Sequence, residues 1–136
     1  IVMVAPTAAP TEALDVHCKL AAWGGDLGGA GSYFRSLAAG MFAGLPVGYG
    51  APVTAFVVRS MAHASGCSLG PLTNYVTVAA AAMRSATPRA LAHELGHACF
   101  LLHRKAQHNL MIPAGGEHLT RWQVAVVRGS PHVSSW

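Results

Sequence analysis

Residues 93–103 read HELGHACFLLH, and residues 109–113, a short interval later, read NLMIP. His93 and His97 are four positions apart, so on a helix they share one face and both imidazoles can reach one metal ion. Glu94 sits one step round, close enough to touch a water beside the metal without replacing a histidine. Metal-assisted hydrolysis needs such a set. The cation lowers the pKa of its water to about 7, and a carboxylate takes the proton. The bland alternative is a solvent-facing histidine pair on an ordinary helix. It is disfavoured by the motif's place well inside a helix whose start is marked by Thr87-Pro88, a cap followed by proline at the first helical position.

Catalytic zinc normally takes three protein ligands and keeps one position open. His103 lies six residues past His97, about 240° further round an unbroken helix. It joins the site only if the helix ends and the chain turns back. His108 is a second candidate. Glu117, 20 residues after His97, is a third, supplied from a following helix.

Outward from the motif, residues 75–79 (Tyr75, Val76, Thr77, Val78 and Ala79) read as a strand, and residues 53–61 as another. Residues 62–72, with Gly66, Gly70 and Pro71, read as a loop. Residues 24–31 carry five glycines in eight positions and also read as a loop. Ser32 caps an expected helix with Tyr33, Phe34, Leu37 and Met41 inward, ending near Gly44. Residues 1–5 are a short apolar run, and residues 11–23 fit helix and strand equally. Residues 88–100 should be helical, 104–116 irregular and 119–128 a closing helix with Trp122, Val126 and Val127 inward. Strands first and helices last make an α+β domain, here one domain over residues 1–136.

The 136 residues suffice for one packed core, and 52% of them are apolar. A net charge of +4, spread without a basic run, gives no footprint for nucleic acid. No apolar stretch reaches the roughly 20 residues of a membrane span. The chain opens on Ile1, which reads as a trimmed or mature product. Cys18, Cys67 and Cys99 leave open one disulfide with one free thiol, or three thiols. Cys99, two residues after His97, should point away from the metal and towards the sheet, with Cys67 as a possible partner.

Residues 93–113 resemble the metzincin zinc metallopeptidases, most closely the matrixin-like branch, whose pattern HExxHxxGxxH is followed by a Met-turn. Here the pattern is HELGHACFLLH, then RKAQHN, then LMIP. The resemblance implies one catalytic Zn²⁺ held by His93, His97 and His103, with Glu94 as general base and Met111 as an apolar floor beneath the metal. It implies a small twisted mixed sheet above the active-site helix, with residues 75–79 as its edge strand, and a helix after the Met-turn. Residues 66–78 are also similar to a segment of small prokaryotic metallopeptidases. Secretion or a place in the cell envelope follows from the same likeness.

Two departures stand out. Phe100 occupies the position of the family's helix-ending glycine. A left-handed backbone there would cost a non-glycine residue about 1 kcal/mol or more, and burial of the ring is expected to offset it. Five carboxylates in all leave no oxygen cluster for calcium. The implied activity is endopeptidase, acting as a monomer on a peptide or protein that adds to strand 75–79. Ile112 and Pro113, with the turn after them, would wall a side-chain pocket. A catalytically silent zinc-containing peptide-binding module is the alternative from another class, and a zinc hydrolase of non-peptide amides a third.

Overall fold

The computed structural model describes residues 18, 23–28, 32–41, 52–61, 64–85, 89–113 and 115–133. Expectations for residues 1–5 and for Thr87-Pro88 lie outside them, as do those for residues 11–23 apart from Cys18 and Trp23. The elements run α1 (Trp23–Gly28), α2 (Ser32–Met41), β1 (Thr54–Val58), β2 (Gly66–Ser68), β3 (Tyr75–Ala79), α3 (Ala80–Met83), α4 (Ala90–Ala98) and α5 (Arg121–Arg128). The architecture is mixed, with a small three-stranded sheet and several helices, in coarse agreement with an α+β domain.

The strand order is β1-β3-β2. β1 runs parallel to β3, with Thr54 opposite Tyr75 and Val58 opposite Ala79. β2 runs antiparallel, with Gly66 opposite Val78 and Ser68 opposite Val76. Tyr75–Ala79 is therefore the central strand, buried along its whole length, and not the edge expected of it. Its run of β-branched residues fits a strand covered on both faces better than a half-open edge. The antiparallel edge is β2, inside a segment expected to be a loop. Three residues with a leading glycine are too few to show a strand's alternation.

Side chains alternate across a sheet, so the two faces can be assigned. Cys67 and Tyr75 join Phe34 and Ala38 of α2 in one apolar cluster, with Leu69 and the partly buried Phe56, Val58 and Met61. Gly66, on the other face, meets Glu94 of α4. The sheet is thus sandwiched between α2 and α4, and α4 packs on β3 and β2. A disulfide joins Cys18 to Cys67 on the α2 side, across a Cα–Cα distance of 5.7 Å. The glycine-rich residues 23–28 form helix α1, not the expected loop. Its Asp26 accepts a hydrogen bond from the Cys18 N–H at 3.0 Å.

A second cluster of Leu101, Leu110 and Met111 packs on Leu119, Val126 and Val127. Trp122, expected inward, is 71% exposed, and the buried position beside it is Gln123. Gln123 faces inward because it serves two partners. It closes a capping box with Thr120 at the start of α5. It also exchanges two amide hydrogen bonds with Asn109, at 2.7 and 3.1 Å. Among the described residues no helix is long and apolar enough to cross a membrane.

Candidate metal centre

Helix α4 carries His93 and His97 on one face and then stops. Phe100 donates its N–H to the His97 carbonyl at 3.0 Å, and Leu101 donates to Gly96 at 2.9 Å. These two bonds form a Schellman motif with Phe100 at the left-handed position, φ 69°. The reversal swings His103 back to the helix. The expected break is present, but the ring is 53% exposed. The expectation of a ring buried among apolar neighbours is corrected: at this turn the side chain stays half in solvent.

The three imidazoles converge. Their Nε2 atoms are 3.2 Å apart for His93–His97, 3.2 Å for His93–His103 and 3.1 Å for His97–His103. Donors at three corners of a tetrahedron with metal–nitrogen bonds of about 2.0–2.1 Å stand about 3.3–3.4 Å apart, so the triangle fits a small divalent cation. The ring nitrogens are assigned by their neighbours. His93 Nδ1–H donates to the Leu110 carbonyl at 2.8 Å, and His97 Nδ1–H to the Leu101 carbonyl at 2.7 Å. Each bond leaves an Nε2 lone pair facing the centre. Burial first, and then the neighbouring imidazoles, push His97 down to about 4. Burial likewise lowers His93. His93 and His97 are thus neutral near pH 7, and their Nε2 lone pairs face one another at 3.2 Å. His93, His97 and His103 are the group that can hold a metal ion among the described residues. Exposed His108 and Glu117 are not part of it.

Glu94 lies under the edge strand. A Cβ on Gly66 would stand 2.9 Å from the Glu94 Cγ and Oε1, so a larger residue there would push the carboxyl out of this position. Burial pushes Glu94 up to about 7, while a Ser68 backbone hydrogen bond and the Arg89 charge partly oppose the rise.

Met111 is fully buried, and a Cβ on Gly96 would meet its Sδ at 2.6 Å. The thioether thus packs directly on the helix between the two motif histidines, in the place expected for a floor. The turn around it is set by Asn109, whose Oδ1 accepts from the Met111 N–H at 3.0 Å. Ile112 is half-buried and Pro113 exposed, in the segment that follows. The Cys99 thiol accepts from Ser130 Oγ at 3.4 Å. It therefore faces the segment after α5, and Cys67 is paired elsewhere.

Sequence reasoning missed three residues. Arg89 stands one turn before His93 and bonds the carbonyls of Leu110, Ile112 and Gly116. Its signal was an arginine four positions before a candidate ligand, on the same helix face. Gln123 was hidden by its polarity, and Gly66 by its place in a segment rich in turn residues. No family model, curated protein or solved structure matches the chain.

Proposed function

We propose that this chain is a zinc-dependent endopeptidase of metzincin-like design. The observation that carries the reading is the triangle of three converging imidazole nitrogens with a half-buried carboxyl one residue along the helix from His93. A set of three nitrogens suits zinc, and intact Glu94 suits hydrolysis more than silent binding. Zinc, when bound, supplies Lewis acidity, polarising a carbonyl and bringing a water's pKa towards about 7.

The chain's own groups do the remainder. Glu94, one residue from His93 and half-buried beneath β2, takes a proton from the attacking water and returns one to the leaving amine. Gly66 and the Ser68 backbone hold that carboxyl in place. His93 and His97 keep their Nε2 atoms bare because their Nδ1–H groups are committed to carbonyls. β2 has no strand on its outer side among the described residues. An extended peptide can pair there as an added strand, beside Glu94. This transfers the substrate-binding role expected of Tyr75–Ala79 to Gly66–Ser68. Ile112 and Pro113 stay candidates for a side-chain pocket.

The test is incubation of the zinc-loaded chain with an unfolded protein, with Glu94→Ala as control. Cleavage by the parent and none by the variant, at equal zinc content, is expected. Equal fragments from both, or from neither, would remove the reading.

A further inference from the structure

Arg89 is a half-buried cation whose guanidinium faces main-chain carbonyls. Nε donates to Gly116 at 2.8 Å, and one terminal nitrogen, Nη2, donates to Leu110 at 2.7 Å and to Ile112 at 2.6 Å. The other, Nη1, reaches Pro113 at 3.4 Å. All four acceptors lie in the loop that contains Met111 and walls the site. The Leu110 carbonyl is the same oxygen that accepts from His93 Nδ1–H. Arg89 Nη2 also lies 3.3 Å from His93 Nδ1, where two donors stand side by side on one acceptor.

We infer that Arg89 is a positioning residue that fixes His93 as an Nε2 metal donor by orienting the Leu110 carbonyl, and that it couples this ligand to the loop behind the site. The inference rests on the metal-site reading above. The chemistry is specific to arginine. One planar cation with several fixed N–H directions satisfies carbonyls from four residues at once, which a single ammonium cannot do. Without it, the Leu110 carbonyl loses one of its two donors and is free to rotate. His93 Nδ1–H then loses a fixed acceptor, and the tautomer with a protonated Nε2, which cannot ligate, becomes accessible. His97 provides an internal contrast. Its Nδ1 partner, Leu101, belongs to the helix-ending turn and is not among the four carbonyls that Arg89 bonds.

The test compares the parent with Arg89→Met and Arg89→Lys. Two properties are measured: zinc affinity by chelator competition, and imidazole nitrogen NMR shifts of the metal-free protein. Partners that orient a metal-bound histidine typically change affinity 10–100-fold when removed. Arg89→Met should weaken zinc binding by about that factor, with Arg89→Lys in between. His93 should change from one tautomer to a mixture while His97 stays as it was. Zinc affinity within twofold of the parent, or equal changes at His93 and His97, would overturn the inference and leave a purely structural arginine. If Arg89→Met does not fold, Arg89→Lys carries the same comparison. If the parent binds no zinc, the metal reading falls, and the tautomers still decide the role of Arg89.

Discussion

His97 and His103 bring their Nε2 atoms to 3.1 Å from one another although six residues separate them. On an unbroken helix the two side chains would diverge by about 240°. The contact exists because the helix closes at Ala98 and the next residues reverse, with Phe100 in the left-handed region. That turn is where the first prediction applies. Phe100→Gly removes the left-handed strain of about 1 kcal/mol and loses the burial of a half-exposed ring, about 1 kcal/mol. The variant should therefore differ little in stability, by less than about 1 kcal/mol, and bind zinc unchanged. Denaturant titration decides, and a variant destabilised by more than that would show that the ring packs in solution.

How much of this was legible beforehand follows from what local sequence encodes. The candidate ligands His93 and His97 were readable because four-residue spacing is a property of any helix. His103 required a chain reversal, which neither composition nor periodicity reports, yet the ten-residue His93–His103 spacing pointed to it. Strand 75–79 was readable as a strand but not as the central one, since pairing depends on β2, three residues without a pattern. Gln123 went unseen because a polar residue on an amphipathic helix is ordinarily outward. It is inward only because Asn109, 14 positions away, supplies the matching amide.

The proposed ligand set gives the second prediction. His93→Ala, His97→Ala and His103→Ala should each reduce zinc below one equivalent at micromolar protein, whereas His108→Ala and Glu117→Ala should keep it. Metal analysis after dialysis checks this. Full zinc in His103→Ala would reopen the choice of third ligand.

Gly96 gives the third. Alanine is the better helix former by about 0.8–1 kcal/mol, but its Cβ would stand 2.6 Å from the Met111 Sδ. Met111 is fully buried, so it cannot withdraw into solvent. Overpacking of this kind typically costs about 1–3 kcal/mol, so Gly96→Ala should be destabilised overall. Shortening the opposing side chain should relieve it. In a double-mutant cycle Gly96→Ala should be less harmful on a Met111→Ala background, and strict additivity would place Met111 elsewhere.

The disulfide gives the fourth. Cys18 and Cys67 are 49 residues apart, a loop for which chain entropy predicts about 4 kcal/mol of stabilisation. The unfolded, unreduced chain should titrate one thiol, Cys99, and three after reduction. Reduction should also lower the unfolding midpoint. Three thiols before reduction would exclude the bridge.

The last prediction separates two opposing proton linkages at the site of the metal-free protein. Burial raises Glu94 from 4.5 to about 7. Between those values the folded state holds more protons than the unfolded, so this group's contribution is full below pH 4.5 and lost as pH rises through 7. Burial lowers His97 from 6.5 to about 4. Over that interval the folded state holds fewer protons, so stability falls as pH drops from 6.5 to 4. The two slopes have opposite signs and largely cancel between pH 4.5 and 6.5. Glu94→Gln removes one of them. The variant should match the parent near pH 4 and exceed it at pH 8, by up to about 3 kcal/mol for a shift of this size. Its own stability should rise with pH from 4 to 6.5 as the His97 linkage is unmasked. Denaturant titrations in chelator at pH 4, 6 and 8 give the comparison. A Glu94→Gln chain no more stable than the parent at pH 8 would mean that the carboxylate is solvated there and not half-buried beneath β2.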